Sequence, residues 1–178
     1  MNDDALNKPH NASNGLLNAL QPNTILLGER SYEAATLLVI GRAEKELLIF
    51  DPNLSRGDYQ GSAVTEALRQ FLAKSPANKL VIVVHDKSFI ADRCARLLNL
   101  LKVYSHVVTI YETANSSKTA LDAFVLADKS HYLHRFHIDH ARFKYVFDGV
   151  AETNALIERY EQLVDGATES SLSAHVGL

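Results

Sequence analysis

The run Lys79-Leu80-Val81-Ile82-Val83-Val84-His85 constrains this chain more than any other stretch. Its apolar residues are consecutive rather than alternating, and Val81 to Val84 are all β-branched. A strand that is apolar on both faces must be covered on both, as a central strand in a layered α/β fold is. The flanking sequence supplies the layers. Apolar residues recur at helical spacing over Ser31 to Ala43 (Tyr32, Ala35, Leu38, Val39), Ser62 to Ala73 (Val64, Ala67, Leu68, Phe71) and Ser88 to Leu101 (Ile90, Cys94, Leu97, Leu98, Leu101). Ser31 and Ser62 stand where N-caps belong.

Glu46 to Asp51 reads as a strand that Pro52 stops, and His106 to Glu112 as another. Strand-like pieces follow at 121–127, 130–136 and 144–147, then a helix from Ala151 to Leu163 with Leu156, Tyr160 and Leu163 on one face. The alternating first half predicts right-handed crossovers, and hence a mixed, largely parallel sheet with helices on both faces. The second half predicts a β-hairpin and a closing helix. With 178 residues the chain suits one domain, expected at 23–165 between a mobile tail at 1–22 and a loose tail at 166–178.

A net charge of −3 gives no general reason to bind nucleic acid. No stretch approaches the roughly 18 consecutive apolar residues of a membrane span. The first 23 residues lack the basic start and apolar core of a secretory signal, and a lone cysteine, Cys94, excludes an internal disulfide. These features predict a cytoplasmic protein that does not engage membranes.

Three groups of residues carry candidate chemistry. Asp51 ends one strand, while His85, Asp86, Lys87 and Ser88 follow the central one. In open α/β sheets ligands dock beyond the carboxyl ends of the strands, so these five form the candidate ligand site. His131, His134, His137 and His140 recur every third residue. A strand would put His131 and His137 on one face, a candidate metal pair, although exposed or interfacial histidines are the simpler reading. Arg135, Arg142 and Lys144, interleaved with Tyr132, Phe136, Phe143 and Tyr145, would suit a nucleic-acid surface if they clustered. No cofactor is predicted, and Cys94 reads as core.

The turn Ile40-Gly41-Arg42-Ala43-Glu44-Lys45, the strand running into Asp51 and the element order over residues 24 to 165 resemble one repeat of the phospholipase D superfamily. It also looks like an uncharacterised bacterial single-repeat subgroup of that fold. Active members carry H-x-K-x-x-x-x-D on the hairpin, with a His nucleophile and a phosphate-binding Lys. If Asp128 is the motif's Asp, those two positions hold Leu121 and Ala123, which can do neither job. The resemblance therefore implies the fold without catalytic residues: a binding or scaffolding module. It also implies pairing of two copies across an apolar motif face, or association with another protein. A nucleic-acid-associated protein and a metal-dependent phosphodiesterase or other hydrolase remain the alternatives.

Overall fold

The central strand of the computed structural model is the predicted one, β3 (Lys79–Val84), with all but its first residue buried. The structure describes residues 20–170 and Leu172. In chain order it contains β1 (Ile25–Leu27), α1 (Glu29–Arg42), β2 (Glu46–Phe50), α2 (Ser62–Lys74), β3, α3 (Ser88–Arg93), α4 (Ala95–Val103), β4 (Val108–Glu112), β5 (Ala123–Ala127), β6 (His131–His137), β7 (His140–Val146), α5 (Val150–Val164) and β8 (Thr168–Glu169). Among the described residues no helix is long and apolar enough to cross a membrane.

One eight-stranded sheet runs β1-β7-β6-β5-β2-β3-β4-β8. Only β2/β3 and β3/β4 are parallel, and the other five pairings are antiparallel. The sheet is mixed but not largely parallel, which corrects the sequence expectation. The reason lies in the connections: only from β2 to β3 and from β3 to β4 does a helical crossover join strands that are neighbours in the sheet, and parallel pairing needs such crossovers. The segment after β4 carries only a short 3-10 turn at Asn115–Ser117. It returns the chain to the far side of β2, where β5 lies antiparallel.

Helices cover both faces, as expected. On one face Tyr32, Val39, Leu68, Phe71, Ile90 and Leu97 of α1 to α4 pack on Leu47, Ile49, Ile82 and Val84. On the other, Leu156, Tyr160 and Leu163 of α5 pack on Phe50, Val81, Val83, Phe124 and Leu126. The Tyr160 hydroxyl donates to the Val81 carbonyl at 3.1 Å, giving a buried phenol its partner. Each large apolar side chain buried this way contributes about 1.5–3 kcal/mol.

The two expected N-caps are displaced, by three residues and by one. Gly28, at φ 101, precedes α1 in place of Ser31, and Gly61 precedes α2 in place of Ser62. The single helix expected over Ser88 to Leu101 is broken at Cys94, whose backbone (φ −102, ψ 49) leaves the helical region. Cys94 itself is fully buried, and burial pushes its thiol up to about 11. Most of the expected N-terminal tail lies outside the described residues. Residues 20 and 23 are attached to β7: the Asn23 N–H donates to the Tyr145 carbonyl and the Tyr145 hydroxyl to the Leu20 carbonyl. Beyond 165, β8 adds to the edge of β4.

Candidate functional site

β2, β3 and β4 point their carboxyl ends the same way, and the register brings the start of β5 and the end of β6 to that edge. Phe50 lies opposite Phe124 and Ala123 opposite Arg135. Asp51, His85, Thr113, Asp122 and Arg135 therefore gather at one edge, but the sheet divides them between its faces.

On the α1 face, Asp51 is 1% exposed. Its Oδ1 accepts backbone N–H bonds from Asn53 and Leu54 at 3.0 and 2.7 Å, while the buried Oδ2 has no partner among the described residues. Burial raises the carboxyl to about 6, against the lowering effect of those two bonds and of the Arg135 and Arg56 charges. Arg135, fully buried, donates two bonds to Glu29 at 2.7 and 2.8 Å, with others to the His137 and Ile138 carbonyls, and its guanidinium lies 4.9 Å from the Tyr32 ring centre.

On the α5 face, both His85 nitrogens are engaged. Nε2 is 2.7 Å from the Ala120 carbonyl and Nδ1 is 2.7 Å from the Thr113 hydroxyl. A carbonyl only accepts, so the proton belongs on Nε2, and the Thr113 hydroxyl donates to Nδ1 of the neutral ring. Burial lowers the His85 pKa further. Beside it, Asp122 accepts from Arg159 Nε and Nη2 at 2.9 and 2.6 Å and pairs with His134 Nε2 at 3.1 Å. Burial alone would raise Asp122, but these bonds and charges hold it down at about 2.

The candidate ligand residues are thus not one constellation. Asp51 and His85 lie on opposite faces. Asp86 Oδ1 accepts from both the Ser88 N–H and hydroxyl, so the groups expected to hold an anion are satisfied by a carboxylate. Lys87 pairs with Glu112 at 3.5 Å. The candidate metal pair fails on distance: His131 and His137 sit at opposite ends of β6, about 20 Å apart at strand rise. Their Nδ1 atoms accept from the Asp148 and Asp139 N–H groups. The basic trio also separates. Arg135 is buried on the α1 face, while Arg142 and Lys144 share the other face with Phe136.

Leu121 is 44% exposed, whereas Ala123 is fully buried between β2 and β6 and offers no surface for association. Asp128 and Lys129 (φ 52 and 58) form the tight turn from β5 to β6, with the Ser130 N–H donating to the Ala127 carbonyl. The Asp128 carboxylate accepts the Glu44, Lys45 and Glu46 N–H groups at 2.7–2.9 Å and so clamps the α1–β2 turn. The spacing H-x-K-x-x-x-x-D does occur elsewhere, at His85, Lys87 and Asp92, a match missed when the motif is sought only on the hairpin. There His85 follows β3 and Asp92 lies on α3, so the three do not line one strand.

The comparisons with known proteins agree with this architecture. Residues 28–172 match the model of a family described as a domain of unknown function (DUF7931). The chain belongs to that family. No curated protein matches the DUF7931 chain. Among solved structures it is similar to a phospholipase D family member, Nuc from Salmonella typhimurium (TM-score 0.59, 10% identity, 83% of this chain and 97% of that one). It is similar to NucT from Helicobacter pylori (TM-score 0.56, 10% identity, 83% and 98%). It is also similar to TrmBL2, an archaeal chromatin protein whose structure shows a novel mode of DNA binding (TM-score 0.61, 8% identity, 90% of this chain but 59% of that one). At such identities the likeness is one of fold, and the fold is phospholipase D-like.

Proposed function

We propose that this DUF7931 domain is a phospholipase D-like module that binds rather than catalyses, and that it works in a bacterial cytoplasm as a pair of copies or with a protein partner. The observation that supports this reading is at the start of β5, where an exposed Leu121 and a buried Ala123 occupy the positions that the resemblance assigns to a nucleophile and a phosphate-binding lysine. The neighbouring polar groups support it. Arg135 is spent on Glu29, Asp122 on Arg159 and His134, and both His85 nitrogens on the protein. The exposed Leu121 supplies an apolar contact at that edge. The test combines turnover of bis(p-nitrophenyl) phosphate and of DNA with sedimentation velocity. A monomer that cleaves phosphodiesters, losing that activity in His85→Ala, would overturn the reading.

A second reading, nucleic-acid association, is favoured by a specific surface. Phe136 is 37% exposed, the Arg142 guanidinium lies 5.7 Å from its ring centre, and Lys144 is on the same face. Aromatic and cationic groups on an open sheet face suit stacked bases and phosphates. Two phosphate contacts would give a log–log salt slope of about −1.4 with single strands. Binding unchanged in Arg142→Ala/Lys144→Ala would exclude this face.

A further inference from the structure

The edge of the sheet where the parallel strands end does hold a cavity, whose polar lining residues the sequence does not single out. It measures about 390 Å³ and is lined by Ser117, Thr119, Ala120, Arg159, Gln162 and Leu163. Its walls are the connection after the 3-10 turn at Asn115–Ser117 and the last turns of α5. This volume lies within the range of about 300–1,000 Å³ typical of small-molecule sites.

The polar groups around it favour an oxyanion. Arg159 directs Nε and Nη2 at Asp122, which fixes the plane of the guanidinium. Among the described residues Nη1 has no protein acceptor, so one end of a pre-oriented fork is left for a ligand. The Asp122 carboxylate that orients the fork is not itself part of the lining. Ser117 and Thr119 bring hydroxyls and Gln162 an amide. The Ala120 carbonyl, an acceptor that would repel an anion, is taken by His85 Nε2 at 2.7 Å. No lining side chain is a carboxylate. Lys118, exposed beside Thr119, acts on both His85 and Asp86 and adds positive potential to the same edge.

We infer that this cavity binds a small ligand through a phosphate or carboxylate group, with Arg159 as the fixed donor and Ser117, Thr119 and Gln162 completing the recognition. The guanidinium is held before the ligand arrives, so little side-chain freedom is lost on binding. The site is separate from the hairpin positions Leu121 and Ala123 and from the Phe136–Arg142 surface.

The experiment is a titration of the full chain with inorganic phosphate, phenyl phosphate and acetate, followed by the backbone amide signals of residues 117–120 and 159–163. Saturable shifts confined to those segments are expected, with phosphate or acetate binding more tightly according to the group the site prefers. Thr119→Val and Gln162→Leu, which leave the Asp122 pair intact, should each weaken binding about three- to tenfold, by loss of one hydrogen bond. Arg159→Lys keeps a cation beside Asp122 but loses the fork, and should weaken it at least about tenfold. Shifts that do not saturate with any of the three anions, or equal affinities in all three variants with unchanged melting curves, would overturn the assignment.

Discussion

Glu29 and Arg135, 106 positions apart in the chain, meet in two parallel hydrogen bonds of 2.7 and 2.8 Å that join the first turn of α1 to the far end of β6. The pair is unequal: the Arg135 side chain is fully buried, whereas that of Glu29 is 43% exposed. Removing Glu29 strands a buried guanidinium, while removing Arg135 lets the carboxylate return to water. Glu29→Ala should therefore cost about 3 kcal/mol and Arg135→Met only about 1–2 kcal/mol, the latter mostly for the lost bonds to the His137 and Ile138 carbonyls. Urea denaturation of the two variants checks the order. The reverse order would mean that the fork matters through the β6–β7 turn rather than through charge.

Asp128 is expected to be a structural residue. Its carboxylate is the acceptor for three successive N–H groups, and its φ of 52 suits Asp or Asn better than most side chains. Asp128→Ala should cost about 2–3 kcal/mol, and Asp128→Asn less, because the amide keeps one oxygen acceptor and tolerates the turn. Thermal melts compared with Lys129→Ala, a neighbour at similar φ without such bonds, separate the clamp from the backbone effect.

What the sequence made legible was the set of elements with strong periodicity: β2, β3, the helices and the hairpin. The direction of the sheet was not legible, because neither 3.6- nor 2-residue periodicity says whether β5 returns to β4 or crosses to β2. Three-residue β1 and two-residue β8 are too short to show a pattern. At the site, residue types misled. His85 and Arg135 look available in a sequence, yet each is consumed by partners that only the tertiary structure supplies, such as Thr113 and Glu29, while Asp51 is buried and bonded by its own following turn. Arg159 reads as one more charge on an exposed helix until the fold brings it to Asp122.

Asp51 should make the protein less stable as pH rises through weak acidity. Its folded pKa is raised from 3.8 to about 6, so the folded state holds the proton more tightly than the unfolded chain. The favourable contribution is complete below about pH 4 and is lost between about pH 4 and pH 6, a change on the order of 3 kcal/mol. In Asp51→Asn that slope should vanish, because the amide does not titrate. The neutral amide resembles the protonated carboxyl, so the variant should be close to the parent at pH 4 and more stable than it, by up to about 3 kcal/mol, at pH 7. Chemical denaturation at four pH values between 4 and 7 reads this directly, and parallel curves for the two proteins would refute it.

Asp122 works in the opposite sense and in a lower window. Its folded pKa is held down at about 2, below the ordinary 3.8, by the bonds from His134 and Arg159 overcoming burial. Its contribution is present above about pH 4 and is lost as pH falls towards about pH 2, amounting to about 2 kcal/mol. Arg159→Met removes the two shortest bonds and leaves His134 as the partner, so the carboxyl should titrate higher and the acid limb should begin at a higher pH. Following the Asp122 side-chain carboxyl by NMR as acid is added separates this group from Asp51. A wild-type Asp122 that titrates near 3.8 would show that the pair with Arg159 is too solvated to matter.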